Sequence, residues 1–95
     1  MKKAYLLVYS GDLGTREQVK GYLSSMDEIT HWRYDIPHSF YVISEANAVV
    51  LARRLRELSG GKGRFVFTEL ADNKYGWLTP SSWYLINNKE YKPKT

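Results

Sequence analysis

The stretch ITHWRYDIPHSFYVIS, residues 29–44, reads as two strands and a tight break. In its first half Thr30, Trp32, Tyr34 and Ile36 alternate with His31, Arg33 and Asp35. A period of two sends these sets to opposite faces of a half-exposed strand. Pro37-His38 interrupts the run, because proline has no amide to give a ladder. SFYVIS, residues 39–44, then resumes with the β-branched and aromatic residues that strands favour. Two strands this close in sequence predict an antiparallel hairpin.

Toward the N-terminus the hairpin is preceded by a strand over residues 3–10 and then a helix. Thr15 and Gln18 have capping-box spacing, so the helix is expected to begin there. Val19, Tyr22, Leu23 and Met26 follow at i, i+3, i+4 and i+7, one face of an amphipathic helix. Gly21 inside it costs roughly 1 kcal/mol against alanine, and is expected to permit close packing on the sheet. Toward the C-terminus Ser44 is the expected N-cap of a second helix over 45–58, with Ala48, Leu51, Ala52, Leu55 and Leu58 on its buried face. The glycines of SGGKG (59–63) end it. RFVFTEL (64–70) is a fourth strand, ADNKYG a turn, and Thr79-Pro80 the N-cap and first position of a short C-terminal helix or packed segment.

The order β-α-β-β-α-β defines the expected fold class: a ferredoxin-like α/β (α+β) sandwich with a four-stranded antiparallel sheet, two helices on one face and an extra C-terminal segment. The domain spans 1–88, and NNKEYKPKT leads into a polar tail over 89–95. The second sheet face needs a cover: another subunit, the C-terminal segment or a ligand.

Ninety-five residues make one domain with a modest core, so a dimer would add useful burial. The absence of cysteine excludes disulfides, zinc–thiolate sites and thiol catalysis. No apolar run approaches the ~18 residues that span a bilayer, and the N-terminus lacks a small-x-small cleavage site. A cytoplasmic protein without a membrane partner is expected. The net charge of +4 is unevenly spread. Lys2, Lys3 and the tail account for it, and residues 4–88 are neutral. Within that body Arg53, Arg54, Arg56, Lys62 and Arg64 face only Glu57, making 53–64 net +4. Two uses are open to this run: a solvated helix face with an Arg53–Glu57 pair at i, i+4, or a stripe that binds nucleic-acid phosphates.

Asp12, in the loop after the first strand, is either a turn residue bonding nearby amides or a carboxylate for a hard metal such as Mg²⁺. His31 and His38 lack metal-ligand spacing. Either is a surface histidine or a general base. The aromatics Trp32, Tyr34, Tyr41, Trp77, Trp83 and Tyr84 fit a core plus an interface. Base stacking is the alternative, although Phe65 and Phe67 stand outside the glycine-aromatic run of RNA-binding sheets. SGGKGR follows a helix rather than opening one, so it lacks the amide cradle of a phosphate loop.

The segments AYLLVYS, THWRYDIPHSFYVIS and RFVFTEL…GWLTPSSWYLI, in this order and spacing, resemble small ferredoxin-like proteins of the VapD and SinR-like group, related to the dimeric CRISPR-associated adaptation subunit. The resemblance covers most of the chain. It implies a homodimer in a toxin–antitoxin or defence setting, with possible RNA or DNA partners. In nuclease-competent relatives the first strand ends in Tyr-Asp, the acid holding a metal at the dimer axis. Here that place reads Tyr9-Ser10, and Asp12 lies two residues later. Three functions follow. The first is a dimeric interaction protein, without a cofactor, that binds nucleic acid through Arg53, Arg54, Arg56, Lys62 and Arg64. The second is an Mg²⁺-dependent endoribonuclease using Asp12 from each subunit with Ser10 and His38. The third is a small-molecule module with an aromatic pocket between sheet and C-terminal segment.

Overall fold

Strand β1 (Lys3–Tyr9) is the centre of the fold. Its odd residues Tyr5, Leu7 and Tyr9 enter one core, and its even residue Ala4 enters another. The computed structural model describes residues 1–93. Helix α1 (Arg16–Ser24) follows, then β2 (Ile29–Tyr34), β3 (Ser39–Ser44), α2 (Ala48–Leu58), β4 (Phe65–Glu69) and α3 (Pro80–Asn88). The sheet order is β2-β3-β1-β4 and every neighbouring pair is antiparallel. This is the α+β arrangement expected from the βαββαβ order.

The first core lies between the sheet and helices α1 and α2. Val19 and Leu23 of α1 and Leu51 and Leu55 of α2 pack there on Tyr5, Leu7, Phe40, Val42 and Phe67. Trp32 and Tyr34 both meet Phe40 edge-on, with ring centroids 5.7 and 5.5 Å apart. These two strand aromatics therefore belong to the core side. Thr15 caps α1 as its spacing predicts, accepting from the Gln18 amide while the Gln18 side chain accepts from the Thr15 amide. Helix α2 starts later than expected. Asn47, not Ser44, is its N-cap. Ser44 is buried instead, donating to the Glu28 carbonyl and accepting from the Ala46 amide.

Helix α3 covers part of the second face. Leu85 and Ile86 pack on Ala4, Tyr41 and Ile43. Thr79 caps α3 and Pro80 follows it, as read from the sequence. The opposite set of β2 anchors the helix: Arg33 Nε donates to Ser82 Oγ at 2.8 Å, and Ser82 Oγ donates to Asp35 at 2.7 Å. Ile36 leaves the Trp32–Tyr34 set, because β2 ends at Tyr34. It lies exposed beside Leu6 and Tyr41 on the α3 face. Beyond α3, Tyr91 returns to the free edge of β2, where its hydroxyl donates to the Trp32 carbonyl at 2.7 Å and accepts from the Trp32 amide at 3.2 Å. The segment expected to be a loose tail is thus tied down at Tyr91; Lys94 and Thr95 lie outside the described residues. Among the described residues no helix is long and apolar enough to cross a membrane.

Candidate nucleic-acid interface

Helical spacing separates the three arginines of α2. Arg53 and Arg56, three apart, share the exposed face. Arg54 points elsewhere and is half-buried, its Nε 3.2 Å from a Glu28 carboxylate oxygen. Glu28 thus takes the pairing role that spacing offered to Glu57. Among the described residues no ion pair joins Arg53 to Glu57.

The loop after α2 brings a third arginine to Arg53 and Arg56. Gly60, Gly61 and Gly63 have φ values of 69°, 78° and 67°, a region that glycine enters without the usual side-chain penalty. The chain turns back against the helix end, with Gly60 donating to the Glu57 carbonyl and Gly61 to the Arg56 carbonyl. Arg64 then enters β4. Ala52, Arg53, Arg56, Gly63, Arg64 and Phe65 line one surface cleft of about 370 Å³. Arg53 and Arg56 also line a second cleft of about 440 Å³ with Glu57, Gly60 and Gly61. Lys62 is exposed on the loop but lines neither. Of the five expected basic residues, the structure therefore gathers Arg53, Arg56 and Arg64, leaves Lys62 at the margin and sends Arg54 away.

Ser10 and Asp12 stand beside this groove. The Ser10 amide donates to the Arg64 carbonyl at 2.8 Å, and the Arg64 amide donates to Ser10 Oγ at 2.9 Å. Ser10 Oγ in turn donates to Asp12 Oδ1. The Ser10 hydroxyl, the backbone amide of Asp12 itself and the nearby Arg64 charge hold the Asp12 carboxyl below its ordinary value. Asp12 is therefore an ionised turn residue in the short 3-10 turn Gly11–Leu13. Asp12 brings one carboxylate to this spot, so an Mg²⁺ site of the kind expected from the sequence would draw its second carboxylate from another subunit. Among the described residues no three His, Asp or Glu side chains come together as a metal-binding group.

Among the described residues His38 makes no hydrogen bond to Ser10 or Asp12, although its ring lies beside Gly11, 3.8 Å from where a Cβ there would stand. Its ring stacks on Tyr9 with centroids 5.7 Å apart and an interplanar angle of 12°. It lines a different cleft with Arg16 and Tyr34, residues that carry no recognisable motif in the sequence. His31 rests on Tyr91, centroids 4.5 Å apart.

The second sheet face holds an aromatic cleft of about 240 Å³ between Ile36, Leu70, Trp77 and Trp83, with Tyr41 among its lining residues. The Tyr41 hydroxyl is buried without a hydrogen-bond partner among the described residues. Burial first, and the Asp35 charge second, push its pKa up to about 12. Trp77 is 86% exposed and meets Tyr75 edge-on at 5.3 Å.

No family model matches the chain, and no similar protein is found among curated proteins or solved structures.

Proposed function

We propose that this chain is a nucleic-acid-binding module that seats a phosphate backbone along Arg53, Arg56 and Arg64. The observation that carries this reading is the convergence of three arginines, free of ion pairs among the described residues, from a helix and a strand start onto one cleft. Guanidinium groups suit phosphate because their forked donors match two oxygens at once. The contacts are to backbone rather than to base edges, so binding is sequence-tolerant and salt-dependent. The resemblance to the VapD and SinR-like group supports a toxin–antitoxin or defence setting. It also supports a homodimer, for which the exposed Val8 and Val66, paired across β1 and β4 on the second face, supply apolar surface.

The test is fluorescence anisotropy with labelled 20-nucleotide RNA and DNA at several salt concentrations. Arg53→Ala combined with Arg56→Ala is expected to weaken binding at least tenfold and to flatten the salt slope by roughly 1.5, at 0.7–0.9 per lost phosphate contact. Arg54→Ala, outside the groove, is expected to change neither. Unchanged affinity in the double variant overturns the assignment. Running the same RNA with Mg²⁺ on a gel, for wild type and Asp12→Ala, tests endonuclease activity directly.

The aromatic cleft favours a second reading, a small-molecule module, because the unpartnered Tyr41 hydroxyl lies among apolar walls. Thermal shifts with planar ligands that Tyr41→Phe reduces, and that loss of Arg53 leaves intact, would support it.

A further inference from the structure

The Tyr41 hydroxyl is the one buried side-chain polar group without a hydrogen-bond partner among the described residues. Strand β3 places Tyr41 on the second sheet face, between Leu6 of β1 and Arg33 of β2. The polar groups nearby are already engaged. Arg33 Nε donates to Ser82 Oγ, Ser82 Oγ donates to Asp35, and neither Arg33 nor Asp35 bonds the phenol. Tyr41 is only 4% exposed. A buried hydroxyl that the protein does not satisfy is costly unless an acceptor arrives from outside. Burial and the Asp35 charge keep the phenol protonated at neutral pH, so what it offers is a donor.

Tyr41 also lines the cleft of about 240 Å³ between the sheet and α3. Leu6, Leu70 and Ile86 give it apolar walls, and Tyr75, Trp77 and Trp83 give it aromatic ones. Clefts for drug-sized ligands run from about 300 to 1,000 Å³, so this one suits a ligand of one or two rings. Tyr75 and Trp77 are 85% and 86% exposed, and stacking on a flat ligand would cover apolar faces now left in water. Lys74 is the one charged residue of the lining. Its Nζ donates to the Ala71 carbonyl at 2.8 Å, and no carboxylate pairs with it among the described residues. An ammonium has three donors, so an anionic group can still be met there. We infer that this cleft binds a flat heteroaromatic ligand of one or two rings, whose ring acceptor meets the Tyr41 hydroxyl and whose anionic substituent lies at Lys74. The inference rests on the small-molecule reading of the cleft and adds the chemistry of its ligand. It does not depend on the groove of Arg53, Arg56 and Arg64, since the two share no lining residue.

The experiment is isothermal titration of the full chain with three matched probes: quinoline-4-carboxylate, 1-naphthoate and quinoline. The first two share shape and charge and differ by one ring nitrogen. The third keeps the nitrogen and lacks the carboxylate. The variants are Tyr41→Phe, which keeps the buried ring and removes only the hydroxyl, and Lys74→Gln at the rim. Wild type is expected to bind quinoline-4-carboxylate about fivefold more tightly than 1-naphthoate, and Tyr41→Phe to bind the two equally. Lys74→Gln is expected to weaken both carboxylates about threefold and to leave quinoline unchanged. Equal binding of quinoline-4-carboxylate and 1-naphthoate to wild type, or a preference that survives in Tyr41→Phe, overturns the inference and leaves the small-molecule reading standing. Carboxylate binding that Lys74→Gln leaves intact overturns the anionic half of it. Failure of all three probes to bind wild type overturns the inference and the small-molecule reading together. Failure of the arginine groove shows separately, as an Arg53→Ala, Arg56→Ala pair that still binds 20-nucleotide RNA normally.

Discussion

Gly63 lies against the backbone of Leu13: a Cβ built on it would come within 2.5 Å of the Leu13 amide nitrogen. This contact docks the loop after α2 onto the turn after β1, and it aligns Arg64 with Ser10. Gly63 also has φ of 67°, so a side chain meets both a clash and an unfavourable backbone. Gly63→Ala is expected to cost at least about 2 kcal/mol, lowering the melting temperature by roughly 10 °C for a chain of this size. Gly60 shares the backbone conformation but has nothing within 4 Å of a built Cβ. Gly60→Ala is expected to cost only about 1 kcal/mol. Equal effects of the two in a thermal melt would refute the docking role.

Gly21 behaves in the opposite way. Its position inside α1 suggests close packing, but a Cβ there meets nothing within 4 Å. Gly21→Ala is therefore expected to raise stability by about 0.5–1 kcal/mol, by helix propensity and a less flexible unfolded chain. Urea unfolding measures this, and a destabilised variant would show an unseen contact.

Gly63 and Gly21 show what can be read along a chain and what cannot. The capping box of Thr15, the Thr79-Pro80 start of α3 and the order of strands were legible, because each depends on neighbours a few residues apart. The orientation of β2 was legible only through Tyr34, since the strand ends there and frees Ile36. Long-range partners left no local mark. Glu28 draws Arg54 out of the basic stripe from 26 residues away, and Gly63 needs Leu13, far earlier in the chain. At the candidate site the charge run identified the right stretch of α2, while helical geometry and Glu28 decided which arginines share a cleft. Tyr9, Arg16 and Tyr34 were readable as strand, cap-adjacent and core residues. Nothing in their spacing announces that the fold brings them beside His38.

Ser10 is expected to control the charge of Asp12. The Ser10 hydroxyl is the largest cause of the lowered Asp12 pKa, ahead of the backbone amide and Arg64. A depressed folded-state value contributes stability above the ordinary carboxylate range, and that contribution is lost as pH falls through the folded value. Ser10→Ala is expected to move the Asp12 titration upward toward its ordinary value, as followed by carboxyl ¹³C chemical shift. An unmoved titration would leave the shift to the Asp12 backbone amide and Arg64, and Arg64→Gln would separate the two.

Tyr91 is expected to protect an edge. Strand β2 is outermost in the sheet, and the Tyr91 hydroxyl occupies both the amide and the carbonyl of Trp32 on its free side. Unpaired edges invite association with other chains. Tyr91→Phe is expected to cost about 1 kcal/mol for the lost hydrogen bonds and to accelerate hydrogen exchange at the Trp32 amide. Exchange there as slow as in wild type would mean the contact is not maintained in solution.

Tyr41 gives a pH dependence of the opposite sign to that of Asp12. Burial, reinforced by Asp35, raises its phenol to about 12 from an ordinary value of 10.0. A raised folded-state value contributes stability that is fully present below the unfolded value and is lost as pH rises through the folded one. Above pH 10 the unfolded chain releases this proton first, so stability falls between about 10 and 12. Tyr41→Phe has no such proton and is expected to fall less steeply over the same interval in urea titrations. At neutral pH the variant loses no hydrogen bond, because the hydroxyl makes none among the described residues. Removing an unsatisfied buried hydroxyl while keeping the ring is expected to be neutral or stabilising by up to about 1 kcal/mol. Destabilisation at neutral pH would show that the hydroxyl has a partner in solution.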